Sequence, residues 1–305
     1  MMPEALQQQL KKGRKLSKAA KRLISSGRNN TDDGCIWSIY VDWVQASAAR
    51  VVPVPWNTSV EDMATMFDNL NGILFPGGVL HRASSLYQEY LNKMCDIYDE
   101  VVRRAARGDN VPLWGTCEGF QMIQVCAANR NISVLQGGFV GTDGPAMMRV
   151  NFTGEGWNDD MFHEGYGFPT RLRHAMETEN TTLNWHSLGV EPHQYKTNSA
   201  LNASGMVPLA TTNDFVGRTF VSAAQSKIAP VYSVQFHPER VMFQFHRGIT
   251  HPRNGIEISE YLSLFLMEKM RLNNHSYPSP ADAEARLIAN YPVVNVGWGV
   301  RIYYV

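Results

Sequence analysis

A cysteine at position 117 lies between two glycines, in the sequence Gly115-Thr116-Cys117-Glu118-Gly119, directly after a short apolar run. If a strand turns sharply into a helix here, Cys117 is a nucleophile on an elbow, and the glycines relieve the crowding around its strained backbone. The amino end of the helix would favour the thiolate and lower the pKa of Cys117, and the N–H of Glu118 would stabilise an oxyanion. A buried cysteine in a turn shows the same pattern, so this segment alone leaves both interpretations open.

A histidine and a glutamate two residues apart follow a second apolar run. His237, Pro238 and Glu239 come directly after VYSVQF (231–236), which reads as a strand. The Glu239 carboxylate could accept a hydrogen bond from one ring nitrogen of His237 and fix its tautomer, as nucleophilic catalysis requires. A lone histidine at a strand end is more often structural, but in the same chain as Cys117 it predicts the base of a catalytic pair.

A third segment, Pro76-Gly77-Gly78, follows the buried run GILF (72–75). Because glycine has no β-carbon, a substrate could approach this backbone closely, and the N–H of Gly78 could be a second oxyanion donor. On its own, Pro-Gly-Gly indicates an ordinary turn.

Short apolar strands alternate with amphipathic helices, which predicts an α/β three-layer sandwich around a central, mostly parallel sheet. In such sheets the carboxyl ends of the strands gather the catalytic residues, so the three segments are expected to meet. The predicted strands cover 50–54, 72–75, 111–114, 219–225 and 231–236, the last two as an antiparallel pair, and the predicted helices cover 36–49, 60–70, 84–107, 120–128 and 255–272.

The composition excludes several classes of protein. The 305 residues carry a formal net charge of +0, which gives no support for nucleic-acid binding. No apolar run approaches the roughly 20 residues needed to span a bilayer. The four cysteines contain no CxxC pair and indicate neither a metal site nor a disulfide framework; Cys95 and Cys126 are interpreted as core residues.

Two features of the sequence indicate different cellular compartments. Asn-x-Ser/Thr sequons number seven where about three would be expected by chance, which favours the secretory pathway over a merely Asn-rich chain. Residues 5–28 are instead basic and amphipathic, without the apolar core of a signal peptide. We predict that 1–33 are a basic segment outside the core and that 34–305 form one domain.

Together the motifs resemble the gamma-glutamyl hydrolases of the class I glutamine amidotransferase-like superfamily, which implies a flavodoxin-like fold. The resemblance implies a cofactor-free omega peptidase that cleaves γ-glutamyl bonds, most familiarly in folylpoly-γ-glutamates, a small-molecule substrate, through a thioester. The segments that carry it are ARVVPV (49–54), NGILFPGG (71–78), LWGTCEGF (113–120), NFTG (151–154), VYSVQFHPE (231–239) and NNHSY (273–277).

The resemblance also implies a role for individual residues. Cys117 would be the nucleophile and His237 the acid/base, with Glu239 behind it. His186, in LNWHSLGV (183–190), would contact the substrate, and Arg82 is a candidate cation for a substrate carboxylate, although a solvated loop arginine is the simpler interpretation. Members of this family often pair as homodimers and reside in lysosomes, vacuoles or outside the cell.

Two departures from the family leave alternatives open. The first strand of the family's sheet cannot be found ahead of residue 36, and Glu118 and Gln121 replace residues common beside the nucleophile. An acid there tends to raise the pKa of the thiol. The alternatives are a glutaminase-type amidotransferase with the same chemistry and a non-catalytic glycoprotein.

Overall fold

The computed structural model describes residues 34–78, 86–157, 159–297 and 300–305. Its centre is a six-stranded sheet with the strand order β2-β3-β11-β10-β9-β6. Three further small sheets surround it; one of them joins β1 to the carboxyl-terminal hairpin in the order β1-β13-β12. The strands are β1 Cys35–Trp37, β2 Ile73–Phe75, β3 Leu113–Thr116, β4 Gln136–Gly137, β5 Ala146–Met148, β6 Asn151–Phe152, β7 Thr182–Asn184, β8 Leu188–Gly189, β9 Met206–Asn213, β10 Thr219–Ser226, β11 Val231–Val234, β12 Val293–Gly297 and β13 Val300–Tyr304.

Helices cover both faces of the central sheet. One face buries apolar side chains of α3 and α4, and the other buries those of α1, α5 and α9. This is the layered α/β arrangement that the alternation of elements predicted. The α-helices are α1 Ser38–Gln45, α2 Val60–Asn69, α3 Tyr87–Ala105, α4 Glu118–Ala127, α5 Thr170–Thr178, α6 Gln194–Thr197, α7 Ser199–Ala203, α8 Pro238–Phe243, α9 Arg253–Met270 and α10 Pro280–Ala285.

Local sequence signals account for several boundaries. The Ser59 side chain accepts a hydrogen bond from the backbone N–H of Asp62 at 3.0 Å and so caps the start of α2. Pro238 occupies the first turn of α8, where no N–H partner is needed. The start of α2 is therefore as predicted, whereas the sequence predicted no helix at α8.

Three parallel strands place the predicted site segments together. In register, Ile73 of β2 and Val231 of β11 both lie beside Leu113 of β3, on its two sides. Because these strands run in one direction, their carboxyl ends reach the same edge of the sheet. The Pro-Gly-Gly turn, Cys117 and His237 follow those ends directly.

The other half of the central sheet is antiparallel. β10 pairs antiparallel with β11 and β9, and β6 pairs antiparallel with β9. The sheet is thus mixed, and the expected parallel pairing holds for the strands that carry the predicted site. The predicted antiparallel pair of β10 and β11 is confirmed.

The predicted strand at 50–54 is wrong, because these residues pair with no strand. A strand needs a neighbour to satisfy its backbone N–H and C=O groups. Among the described residues, β2 has β3 on one side and no strand on its other edge. The predicted helix at 36–49 is also shorter than expected, since Cys35–Trp37 form β1, which pairs with β13 and not with β2. Residues 1–33, which were predicted to be a basic segment and where the family's first strand would lie, are outside the described residues.

A disulfide corrects the interpretation of Cys95 and Cys126 as separate core thiols. Their sulfur atoms lie 2.05 Å apart and join α3 to α4. Both residues are buried, as the apolar helical patterns predicted. The sequence missed the bond because two cysteines 31 residues apart carry no local signal of pairing. The bond ties down the helix whose first turn adjoins Cys117.

Replacing both bonded cysteines with alanine is expected to lower the free energy of unfolding by about 3–4 kcal/mol, because the bond closes a loop of about thirty residues in the unfolded chain. Urea denaturation of the double variant measures this. Cys35→Ala, which removes a cysteine that forms no disulfide, is the control and should leave the midpoint nearly unchanged. A loss below about 1 kcal/mol in the double variant would contradict the expectation.

Candidate active site

Cys117 has the backbone conformation of a strained elbow. Its φ of 54° and ψ of −105° are unusual for a residue with a side chain, and such conformations cost of order 1–3 kcal/mol. The flanking glycines make the turn feasible. A β-carbon on Gly119 would lie 2.1 Å from the Phe75 carbonyl oxygen, and one on Gly115 would lie 2.7 Å from Gly119 backbone atoms. The Gly-x-Cys-x-Gly spacing therefore reflects the close approach of α4 to the ends of β2 and β3.

His237 lies opposite Cys117 across the Pro-Gly-Gly turn. A β-carbon built on Gly77 would lie 3.1 Å from Cys117 Cβ and 3.0 Å from His237 Cε1. The two side chains thus approach one point from two neighbouring strands. A residue larger than glycine at position 77 would fill the space between them.

The Glu239 carboxylate orients the His237 ring. Its Oε1 lies 2.7 Å from His237 Nδ1, and both side chains are almost fully buried. Since a carboxylate can only accept, Nδ1 carries the proton, and Nε2 is left as the basic nitrogen. The sequence predicted this pair from the two-residue spacing, and the structure brings the two groups into contact.

Arg240 adds a cation to the same cluster. Its Nε lies 3.1 Å from His237 Nδ1 and 3.6 Å from Glu239 Oε1. Because the Nδ1 proton is directed to Glu239, the guanidinium acts on the ring through its charge and pairs with the carboxylate. The guanidinium carbon lies 5.3 Å from the centre of the Trp37 ring and 5.2 Å from that of Trp185. No motif in the sequence marks Arg240, although it directly follows Glu239.

Tyr40 completes the contacts around His237. Its hydroxyl accepts a hydrogen bond from the N–H of Gly77 at 2.9 Å and lies 3.4 Å from His237 Nδ1. Tyr40 comes from α1, far away in sequence, and no motif marks it. The N–H of Gly77 is therefore already bonded, and the role predicted for the N–H of Gly78 as an oxyanion donor stays a prediction.

The expected lowering of the Cys117 pKa is wrong. Burial raises the pKa of the thiol to about 12, outweighing the Arg240 cation and the N–H of Glu118, which lower it. The Glu118 and Glu239 carboxylates raise the pKa of Cys117 further. The helix amino end does favour the thiolate, but burial of the charge costs more. The resting nucleophile is a neutral thiol.

Burial also lowers the pKa of His237 below its ordinary value of 6.5. Glu239 opposes this shift and Arg240 reinforces it. The imidazole is therefore neutral at neutral pH, and its Nε2 is free of a proton. The Cys117 thiol and the His237 imidazole are thus both neutral in the resting site.

Glu118 lies on the substrate side of the elbow. Its Oε2 would be 2.5 Å from a β-carbon on Gly78, so the carboxylate lies against that glycine. The side chain is 9% exposed, which explains why its charge acts on Cys117. The sequence predicted that an acid here raises the pKa of the Cys117 thiol, and Glu118 does raise it.

His186 does not contact the cavity that contains Cys117 and His237. Its Nδ1 lies 2.9 Å from the Leu188 carbonyl and its Nε2 lies 3.3 Å from Asn184 Oδ1. Burial and the neighbouring His237 lower the pKa of His186 to about 3, so it is neutral. Its ring nitrogens face Leu188 and Asn184, and His186 is not among the residues that line the cavity. Its contact with substrate stays a prediction.

The residue before it, Trp185, contacts both catalytic candidates instead. Its carbonyl oxygen lies 3.7 Å from Cys117 Sγ, and the same carbonyl favours the protonated form of His237. The predicted cation Arg82 lies outside the described residues.

A cavity of about 1260 Å³ opens onto this cluster and continues along the free edge of β2. Its volume exceeds that of ordinary small-molecule pockets, roughly 300–1,000 Å³. The catalytic end is polar, and the far end contains apolar side chains of α2 and α9. Among the residues that line it are Tyr40, Cys117, Glu118, Trp185, His237 and Arg240.

Comparison with known proteins identifies relatives of the chain. A sequence model of the family "Glutamine amidotransferase class-I" matches residues 31–251. Gamma-glutamyl hydrolase B of Dictyostelium discoideum is 31% identical, covering 85% of this chain and 72% of that protein. Gamma-glutamyl hydrolase of Homo sapiens is 30% identical, covering 85% and 78%. A solved glutamine amidotransferase from Thermotoga maritima is 11% identical over 65% of this chain and 77% of that one, with a TM-score of 0.40.

Proposed function

We propose that Cys117, His237 and Glu239 carry out the hydrolysis of γ-glutamyl bonds, because the chain belongs to the gamma-glutamyl hydrolase family within the class-I glutamine amidotransferases. As a member of that family it is a hydrolase with a small-molecule substrate. The observation that carries the assignment of residues is the approach of Cys117 and His237 to one point above Gly77.

The reaction begins with the neutral thiol. Cys117 Sγ attacks the γ-carbonyl carbon while its proton passes to His237 Nε2, and the Glu239 carboxylate stabilises the imidazolium that forms. The N–H groups of Glu118 and Gly78 stabilise the oxyanion; removing one such donor costs about a hundred-fold or more in rate.

The second half of the reaction returns the site to its first state. His237 donates its proton to the leaving nitrogen, the C–N bond breaks, and the γ-acyl group remains on Cys117 as a thioester. His237 then takes a proton from water, and the hydroxide attacks the thioester carbon. The C–S bond breaks, the proton returns to sulfur, and a free γ-carboxylate leaves.

The acid limit of this reaction is expected to lie below pH 6.5, because the base must be neutral and burial lowers the pKa of His237. As pH falls, the imidazole stays neutral through its ordinary titration range and is protonated only below it. Steady-state kcat/KM measured against pH reports this limb. An acid limb centred above pH 6.5 would contradict the depressed pKa.

Alkylation of the free enzyme provides an independent check. In a Cys35→Ala background, the rate of reaction of Cys117 with iodoacetamide should rise with pH without a plateau near neutrality, because the pKa of the thiol is raised to about 12. A plateau reached below pH 7 would show a preformed thiolate and contradict the neutral pair.

The substrate proposed is a folylpoly-γ-glutamate or a related γ-linked oligoglutamate. The family membership and the large cavity support this choice, since a chain of several γ-linked residues needs more room than one amino acid. The test is incubation of the purified protein with a γ-linked oligoglutamate and, separately, with free glutamine. Release of glutamate from the oligomer supports the hydrolase, whereas release of ammonia from glutamine alone supports the amidotransferase.

We further propose that the protein resides in an oxidising compartment, such as a lysosome, a vacuole or the extracellular space. The buried disulfide supports this, because such bonds persist where thiols are not kept reduced. The sequon asparagines among the described residues are all exposed: Asn57, Asn131, Asn151, Asn180, Asn202 and Asn274. Protein isolated from its source is expected to lose mass on enzymatic removal of N-glycans.

One expectation about partners, the homodimer, follows from the family. A homodimer is proposed, and analytical ultracentrifugation of the full chain would test it. Among the described helices, none is long and apolar enough to cross a membrane.

A further inference from the structure

Arg240 is the cation of the active-site cluster that the reaction scheme leaves without a role. Its side chain is 12% exposed, and the residue lines the cavity together with Cys117 and His237. Arg240 is also the cation whose charge acts on the Cys117 thiol. A guanidinium this close to the reacting sulfur lies within reach of a substrate bound there.

Neighbouring side chains hold the Arg240 guanidinium in position but do not use all of its N–H donors. Its Nη1 donates to Gln244 Oε1, and its Nε lies beside His237 and Glu239. Among the described residues, Nη2 has no hydrogen-bond partner. An arginine has five N–H donors in a fixed plane, a geometry that matches a carboxylate. Arg240 therefore retains donors for an anion from the cavity.

Two tryptophan rings restrict the position of the Arg240 guanidinium. Trp37 and Trp185 lie within cation–π distance of the guanidinium carbon, at 5.3 and 5.2 Å. Aromatic contacts of this kind favour a weakly hydrated, oriented cation and lower the cost of immobilising it. Trp37 itself belongs to β1, which pairs with β13 of the carboxyl-terminal hairpin. The small sheet β1-β13-β12 thus supports the position of Arg240.

The position of His237 decides which substrate group comes closest. The nitrogen that leaves takes its proton from His237, so the leaving residue lies on the His237 side of the scissile bond. In a γ-linked glutamate the α-carboxylate of the leaving residue is one carbon from that nitrogen. The α-carboxylate of the acyl residue is instead separated from the reacting carbonyl by three carbons, on the Cys117 side.

We infer that Arg240 binds the α-carboxylate of the leaving glutamate and so makes the enzyme prefer leaving groups with a free carboxylate beside the scissile nitrogen. The inference rests on the proposed γ-glutamyl hydrolysis. It assigns to Arg240 the role that the sequence suggested for Arg82. The anion completes a cluster in which the guanidinium lies between Glu239 and the substrate.

The test compares two substrates that differ in one group. One is γ-glutamyl-glutamate, and the other is the same dipeptide with the leaving α-carboxylate converted to a carboxamide. The unmodified enzyme should cleave the carboxylate form with a kcat/KM roughly ten- to a hundred-fold higher, the worth of a charge-assisted hydrogen bond. In Arg240→Gln the kcat/KM values of the two substrates should differ by less than about three-fold, because any effect of Arg240 on Cys117 and His237 acts on both substrates alike and cancels in their ratio.

Arg240→Lys, which keeps a charge but not the planar fork, should recover part of the preference. The matched control is Arg286→Gln, which removes an arginine 5.4 Å from an aromatic ring, that of Tyr277, outside the catalytic cluster; it should keep the preference. A loss of equal size on both substrates in Arg240→Gln would overturn the inference and make Arg240 a positioning residue for His237 and Glu239. Failure of the unmodified enzyme to cleave either dipeptide would instead overturn the function on which it rests.

Discussion

Alanine at position 117 is expected to lower kcat by about four orders of magnitude or more, while the protein stays folded. Without the sulfur no thioester can form, and there is no thiol proton for His237 to accept. The backbone φ of 54° at this position is equally unusual for cysteine and alanine, so the substitution adds no new strain. Release of glutamate from a γ-linked oligomer measures the loss, and thermal unfolding checks the fold.

The control for this variant is Cys35→Ala, which removes the other cysteine found free in the described part of the chain and should retain full activity. Mass spectrometry of the unmodified enzyme, quenched during turnover, should show an acyl group on the peptide that contains Cys117 and none on that containing Cys35. Substantial activity in the alanine variant would contradict covalent catalysis at this residue.

Glutamine in place of Glu239 is expected to lower kcat by roughly 10²- to 10⁴-fold with a small change in KM. The carboxylate oxygen 2.7 Å from His237 Nδ1 fixes which nitrogen carries the proton. A neutral amide can donate to Nδ1, which would leave the proton on Nε2 and remove the base. It also removes the charge that stabilises the imidazolium and that pairs with Arg240.

A second histidine–glutamate pair in the chain is a matched control for this prediction. His193 Nδ1 lies 3.3 Å from Glu191 Oε2, again two residues apart, but outside the cavity. Glu191→Gln should therefore leave kcat nearly unchanged. If both variants lose activity to the same extent, or if Glu239→Gln raises KM alone, the orienting role of Glu239 is wrong.

The sequence predicted the fold where signals are local. Apolar runs marked β2, β3, β10 and β11 within a few residues, and the serine cap marked the start of α2. It failed at residues 50–54, whose β-branched residues suit a strand. Strand formation depends on a neighbouring strand, and no strand of the described chain lies there. Neighbours cannot be read from composition alone.

The residues of the site also fall into those that a local motif marks and those that it does not. Cys117, His237 and Glu239 were found because each lies in a short motif, and strand direction predicted that they would meet. Tyr40, Trp37 and Trp185 lie in α1, β1 and the loop after β7, and no spacing connects them to Cys117. The ring of His186 turns to Leu188 and Asn184, which its spacing in the sequence could not reveal, and its contact with substrate stays a prediction.

The sequence by itself determined the chemistry: a thiol on a glycine-flanked turn, an imidazole with its carboxylate, and the order of strands that carries them to one edge. These follow from local backbone preferences and side-chain types. Tertiary structure decided the energetics, namely the neutral state of Cys117, the bond between Cys95 and Cys126, and the exposure of Arg240 to the cavity. Desolvation and long-range contact depend on what surrounds a group, and only the folded chain supplies those surroundings.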